Sequence, residues 1–445
     1  MPTLRYVKTD SAGAGARSVQ ASDLSARFPT RLVTRLNALR RRPVLVATLV
    51  GCVLYLAAAS SPTTGLWSHR FRGDVDTYEY IAQKTHSEVP IRQFLIEYPP
   101  VSLLAFLTPM WAQEGLQHAG IAGLTYMDLF KAAMLICGLL IVFIVASTAN
   151  FLWHEPWRVL AASAVVGVSP LALGPIAIAW YDMWPTLLTI AAVALFVRRQ
   201  LTAAFALLGF AIAAKLFGLV LLPLLLVQAL RTVGWKRTLA PLAAFALTTG
   251  ICFGAAAILS LRGLRYPFTY LIDRPVEIES TAGSIVGFEH ILGWREIGTE
   301  ESYGSINFEG SHAAHLGLVI GIAGAVALLA LWWRSAMVSL STEALIARCT
   351  AAIAIAIACS KVFSPQYLVW LVPFVALTLR RAALLTLAVA VVLTRLWFPE
   401  HWHHFNNIGL MFGLALPRNL AVCLLAILLI FARGPSARQL PEGNV

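Results

Sequence analysis

The stretch "RFRGDVDTYEYIAQ" (70–83) sets two carboxyl groups, Asp74 and Asp76, beside two guanidinium groups, Arg70 and Arg72. A carboxylate held in such a loop can take a proton from a hydroxyl, and neighbouring cations favour the ionised form that a base requires. The plainer reading is a solvated loop in which Asp74 caps a short helix. A helix over 76–84 is predicted, with Tyr80 and Lys84 one turn apart and a pattern suited to a membrane surface. Other groups capable of chemistry are Glu97 in "IEYPPVSLL", Asp182 in "WYD", and Arg274, Glu277 and Glu279 in "DRPVEIES". Lys131, Lys215, Lys361 and Arg395 stand at the ends of apolar runs, where they either snorkel to lipid phosphate or together hold an anion. "HWHH" (His401, His403, His404) lacks an acidic partner nearby and reads as an interfacial aromatic and histidine belt rather than a metal site. Neither a Walker loop nor a convincing dinucleotide fingerprint is present, so nothing supports nucleotide hydrolysis or a soluble nucleotide-sugar fold.

The elements that must position these groups are helices in a membrane. Of 445 residues, 58% are hydrophobic and 13% charged, against about 25% charged in soluble proteins. Twelve apolar runs are predicted as spans, near 43–61, 128–150, 159–179, 183–198, 201–215, 217–231, 237–261, 312–333, 343–361, 366–380, 382–397 and 408–432. A straight span needs roughly 20 apolar residues, so the shorter runs are expected to be kinked or covered by neighbours. The fold class is therefore all-α: a polytopic bundle of about 12 spans over residues 43–432. A basic arm, residues 1–42, carries nine Lys/Arg against two acids and reads as disordered. Residues 43–61 are rather long for a signal-peptide core and lack a clear cleavage site, so they read as the first span. A tail, 433–445, closes the chain. The six cysteines, at 52, 137, 252, 349, 359 and 423, all lie in apolar runs without a CxxC pair and read as small buried residues.

Parity supports this map. With both ends of the chain cytoplasmic, the inner turns carry Arg158, Arg198-Arg199, Arg231/Lys236/Arg237, Arg334, Arg380-Arg381 and Arg433, as the positive-inside bias requires. The net charge of +12 is then an orientation signal rather than a sign of nucleic-acid binding. The outer side receives 62–127, 180–182, 262–311, 364–366 and 398–407; loop 262–311 holds eight acids against four bases. Counting residues 99–112 as a span would invert every later turn, so "PPVSLLAFLTPMWA" reads as an interfacial or re-entrant segment.

Ordered motifs along the chain carry a family likeness: "DVDTYEYIA" (74–82), "EYPP" (97–100), "WYDMWPTLL" (180–188), "GFAIAAKLFGLVLLPLLLV" (209–227), "DRPVEIES" (273–280), "KVFSPQYLVWLVP" (361–373) and "RN" (418–419). In this order the chain resembles the actinobacterial-type glycosyltransferases of family 87, in the GT-C superfamily of polyprenyl-phosphate-sugar transferases. The family pattern Asp-x-x-x-Tyr falls on Asp74 and Tyr78, and implies Asp74 as catalytic carboxylate with Asp76 as its competitor. The family's Arg-Tyr-Asp is Trp180-Tyr181-Asp182 here, so one cation of the pattern is missing.

The resemblance implies transfer of a sugar from a polyprenyl-phosphate donor to a glycolipid or cell-envelope glycan at the outer face of the plasma membrane, with inversion. Mannose is the expected sugar and arabinofuranose the near alternative. Asp74, Asp76 and Asp182 are the catalytic candidates. Lys215, Arg274, Lys361 and Arg418 are expected at the donor phosphate, and Gln366 and Tyr367 at the donor sugar. Tyr78, Glu97, Tyr98, Glu279 and Ser280 complete the acceptor or loop candidates. No cofactor is expected besides the donor lipid; a divalent metal on Asp74, Asp76 and Asp182 is the alternative. Partners are membrane lipids, donor and acceptor, and no nucleic acid. The rival of a different class is a transporter or lipid flippase. Crowding of the charges at the outer end, rather than the midplane, favours the enzyme.

The topology has a direct test. Cysteines introduced at positions 290 and 235 of intact cells should react with an impermeant reagent at 290 only; labelling at 235 alone overturns the orientation.

Overall fold

The computed structural model describes residues 42–67, 71–399 and 408–432. Arg70, the three histidines of "HWHH", Arg433, the tail and the basic arm up to residue 41 lie outside these residues. Nearly everything described is helical: α1 (Pro43–Ala59), α2 (Val75–Lys84), α3 (Ser102–His118), α4 (Tyr126–Trp153), α5 (Pro156–Leu173), α6 (Met183–Val197), α7 (Leu201–Ala214) and α8 (Leu222–Leu259). They are followed by α9 (Leu261–Asp273), α10 (Thr281–Ile291), a hairpin of β1 (Thr299–Ser302) and β2 (Ser305–Phe308), α11 (Ser311–Met337), α12 (Thr342–Ala358), α13 (Val372–Ala376), α14 (Arg381–Arg395) and α15 (Ile408–Ile430). Short 3₁₀ turns at Gly174–Ala177, Leu216–Leu221 and Pro365–Leu371 join helices to their neighbours.

Helices occupy every one of the apolar runs. The runs near 217–231 and 237–261 form the two arms of α8, parted at Gly234, whose φ of 79° and ψ of 166° break the helical path. Among the described residues, five segments are long and apolar enough to cross a membrane: Tyr126–Trp153, Pro156–Ala177, Leu216–Leu259, Ser311–Met337 and Gly409–Ile430. The others are shorter. α6 and α12 are buried on almost all faces, and for such helices neighbours rather than lipid cover the apolar surface. Residues 99–112, expected as an interfacial or re-entrant segment, lie mostly in the helix α3, which packs on α2 and α4.

Small residues set the packing. Apolar helices in lipid gain little from burial against one another, so close approach and dispersion carry the association. A Cβ on Gly138 of α4 would overlap the Tyr55 ring of α1, and one on Gly167 of α5 would lie 2.7 Å from the Gly51 carbonyl. Tyr55 donates its hydroxyl to Met183 Sδ on α6 at 3.9 Å. Polar end groups fix the helix starts: Thr125 and Asp128 form a capping box on α4, and Ser341 Oγ accepts from Ala344 N on α12. All six cysteines are free.

These contacts generate a stability contrast. Gly138→Ala should cost about 1–3 kcal/mol by overpacking against Tyr55. Gly115→Ala, where no atom lies within 4 Å of the new methyl, should be neutral or stabilise by up to about 1 kcal/mol. Thermal unfolding of the detergent-solubilised variants reads both.

Candidate functional site

The loop before α2 is pressed against a distant turn. Gly73 has a φ of +53°, and a Cβ there would stand 2.6 Å from the Ala179 carbonyl and 3.1 Å from the Trp180 indole. Only glycine accommodates both the backbone twist and the contact. Its neighbour Asp74 begins α2, and the helix sets Tyr78 one turn on, so the two side chains share a face. The Tyr78 hydroxyl donates to Asp74 Oδ2 at 3.3 Å. Tyr78 is itself locked, stacked on Phe106 at 4.4 Å and edge-on to Tyr98 and Tyr181. The Asp74 carboxyl makes no side-chain cap to α2, contrary to the plainer reading of its position.

Asp76 faces elsewhere. It is 57% exposed and pairs with Arg72 at 2.5 Å. Arg72 therefore neutralises Asp76, not Asp74, which corrects the expectation that it holds Asp74 ionised. Burial pushes the Asp74 carboxyl up to about 6, and the Asp182 carboxylate adds to the rise. The Lys215 ammonium and the Tyr78 hydrogen bond oppose it, and Glu97 adds a smaller push.

Asp182, buried at the start of α6, accepts from Lys215 Nζ at 2.7 Å and from Trp370 Nε1 at 2.6 Å, both at Oδ1. Lys215 leaves α7 in extended conformation, which carries its ammonium among the rings of Tyr181, Trp370 and Tyr367 at 4.6, 5.1 and 5.2 Å. Trp370 stacks between Phe217 and Tyr367, each at 4.2 Å. Three of the quoted motifs thus meet on one ion pair.

A fourth motif forms the adjoining wall. Glu277 accepts from Arg274 Nη2 at 2.8 Å, Phe363 N at 2.7 Å and Ser364 Oγ at 3.0 Å. The strand-like stretch around it is tied down when Ile278 N donates to the Ile306 carbonyl and Phe308 N to that of Val276. This brings Tyr303, Ser305 and Ile306 of the hairpin to the same wall.

Between these elements lies a cavity of about 640 Å³. Its polar lining includes Asp74, Tyr78, Glu97, Tyr98, Asp182, Lys215, Arg274, Glu277, Glu279, Gln366 and Tyr367. Leu216, Phe217, Pro267, Leu271, Ala356 and Ile357 are among its apolar lining. Buried polar atoms without a hydrogen-bond partner among the described residues gather here: Tyr181 Oη, Asp182 Oδ2, Arg274 Nε and Glu279 Oε2. Such a concentration marks a wall shaped for something polar.

Four of the expected site residues lie elsewhere. Asp76 is exposed, as above. Lys361 Nζ donates to the Ile272 carbonyl at 2.6 Å, tying the end of α9, and does not line the cavity. Arg418 is fully buried in α15, where it donates to Asn419 Oδ1 and the carbonyls of Glu279 and Phe363, over the Phe363 ring at 3.9 Å. Ser280 caps α10 by accepting from Gly283 N at 3.0 Å. Neither Arg418 nor Ser280 reaches the cavity. Lys215 and Arg274 do line it, but both are ion-paired. No group of three His, Cys, Asp or Glu side chains among the described residues is gathered as a metal site; with Asp76 facing away, the three-aspartate alternative does not assemble. Sequence reasoning passed over Trp370, Phe217 and Tyr270. Trp370 had a signal in its type, since a buried indole N–H needs an acceptor.

In comparisons with known proteins, no family model matches the chain and no curated protein matches it.

The ion pair can be weighed by a double-mutant cycle. Lys215→Met strands the Asp182 carboxylate and should cost about 3–5 kcal/mol, whereas Lys215→Met combined with Asp182→Asn should recover most of that loss. Thermal unfolding of the single and double variants measures it.

Proposed function

We propose that this protein is an integral membrane glycosyltransferase of the GT-C type. It has twelve spans and works at the outer face of the plasma membrane, moving a sugar, mannose first, from a polyprenyl-phosphate donor to a glycolipid or envelope glycan. The observation that carries the reading is Asp74: a half-buried carboxyl raised to about 6, lining a cavity that carries both polar and apolar side chains. A base with a proton affinity just below neutral is ionised at working pH yet basic enough to accept a proton in the transition state. Six of the seven ordered motifs of the family likeness contribute residues to that same cavity, all but "RN" (418–419).

The chemistry follows from the groups present. The acceptor hydroxyl oxygen attacks the anomeric carbon while its proton passes to Asp74 Oδ. The bond from that carbon to the phosphate oxygen breaks on the opposite side, so configuration inverts and polyprenyl phosphate departs with the electron pair. Tyr78 holds Asp74 in place. Arg274 and Lys215, with further N–H donors beyond those given to Glu277 and Asp182, are the cations on the wall that can meet the leaving charge. The apolar lining residues suit the isoprenoid. Asp182 orients Lys215 and sets the local field.

The test is transfer by purified, reconstituted protein supplied with radiolabelled polyprenyl-phosphate mannose, or arabinofuranose, and extracted lipid acceptors. Asp74→Asn should lose about 10²–10⁴-fold in kcat, while Asp76→Asn stays near wild type. The kcat/KM profile should fall on the acid side through about pH 6, because protonation removes the base. Full activity in Asp74→Asn removes it from the mechanism. Movement of lipid across the bilayer without a covalent product would favour a flippase instead.

A further inference from the structure

Glu277 and Glu279 stand two residues apart on the cavity wall, both 4% exposed, yet the fold treats them oppositely. Glu277 receives the Arg274 guanidinium, a main-chain N–H and a serine hydroxyl. Glu279 receives nothing: neither of its carboxyl oxygens accepts a hydrogen bond from a described residue, and Oε2 is sealed from solvent. Arg418 of α15 lies close and donates through Nε and Nη2 to Asn419 and to the carbonyls of Phe363 and of Glu279 itself; its Nη1 has no partner among the described residues and makes no hydrogen bond to the Glu279 carboxyl. The backbone gives Glu279 no freedom to swing away. Glu277 N donates to the Lys361 carbonyl, Asn419 Nδ2 donates to the Glu279 carbonyl, and α10 starts so tightly that a Cβ on Gly283 would meet Glu277 and Ile278 main chain.

A carboxylate that accepts no hydrogen bond in such a place is costly, and burial favours the protonated form. The charged groups facing it are Glu277 and Arg274 of its own loop and Arg418 of α15; Asp74, Glu97, Asp182 and Lys215 line the same cavity. Burial, with the Glu277 charge added, raises its proton affinity well above the carboxylate range against the pull of Arg418 and Arg274. A neutral carboxylic acid is a hydrogen-bond donor that adds no negative charge. The wall already offers ion-paired carboxylates to accept from sugar hydroxyls. Cationic donors are fewer, since Lys215 and Arg274 each give an N–H to Asp182 and Glu277.

We propose that Glu279 is a neutral acid that donates a hydrogen bond through Oε1, the carboxyl oxygen that is not sealed, to a phosphate oxygen of the lipid ligand, beside the Arg274 guanidinium. The proposal rests on the reading of the cavity as a polyprenyl-phosphate site. Phosphate oxygens only accept, so a wall of paired charges with a spare O–H matches them, and an ionised Glu279 would repel them. Glu279 takes no part in the proton transfer at Asp74.

Three variants separate the possibilities. Glu279→Gln keeps size, neutrality and a donor; Glu279→Leu keeps volume alone; Glu279→Asp shortens the reach. Infrared difference spectra of reconstituted protein at pH 7 should show a protonated-carboxyl band that Glu279→Gln and Glu279→Leu both lose. Affinity for sugar-free polyprenyl phosphate in nanodiscs should stay within about twofold in Glu279→Gln and fall at least about tenfold in Glu279→Leu, the worth of a hydrogen bond to a charged group. Glu279→Asp should fall between them. In transfer assays the donor KM should follow the same order, with the acid limb at Asp74 unmoved. A Gln variant as weak as the Leu variant, or no protonated-carboxyl band assignable to Glu279, overturns the proposal. The Gln comparison and the infrared band still decide it where Glu279→Leu fails to fold. Binding that depends on Glu279 with no sugar transfer by any form of the protein would sink the transferase reading and uphold this one.

Discussion

The contact between Lys215 and Asp182 is the interaction on which the rest of the site depends. Neither group is stable alone in apolar surroundings, so the pair must form and its geometry must be satisfied. Satisfying it fixes three chain segments at once: the turn that opens α6, the extended residue that ends α7, and the 3₁₀ turn that presents Trp370. The rings around the ammonium then stack on each other and fill the space behind it. Everything in front is the cavity.

Four carboxyls that line one cavity show how different the surroundings of the same chemical group can be. Asp182 and Glu277 have cationic partners and several donors each. Asp74 has a tyrosine hydroxyl and partial burial, which leaves it titrating near 6. Glu279 has burial and no donor among the described residues. One pocket thus holds two carboxyls with cationic partners, one with a tyrosine partner and one without a donor among the described residues, with no change of residue type beyond Asp and Glu.

Backbone proximity complements charge. Gly73 lets the loop before α2 lie on the Trp180 turn, so the carboxyl of Asp74 comes within electrostatic reach of Asp182. Gly138 and Gly167 do the same for α1, α4 and α5, whose close packing forms the frame behind. The cations that missed the cavity serve this frame. Arg418 knits α15 to the loops at Glu279 and Phe363, and Lys361 holds the end of α9, so their charges stabilise backbone carbonyls rather than face a ligand.

The sequence by itself determined the helical elements, since runs of apolar residues bounded by charged turns have one economical conformation in lipid. Each of the twelve runs holds a helix, the segment over 76–84 lies within α2, and the Asp74–Tyr78 spacing alone put both side chains on one helix face. Burial and partner choice were beyond its reach. Two aspartates two residues apart, Asp74 and Asp76, differ only in the direction the helix start turns them, and that direction comes from the Gly73–Trp180 contact. Lys215 and Lys361 look alike as cations at the ends of apolar runs; which one meets a carboxylate depends on α6 and α7 packing side by side, which brings together residues 33 apart in the chain. Glu279 shows the same limit, because the lack of a partner is a property of everything around a residue and of nothing in its own stretch of sequence.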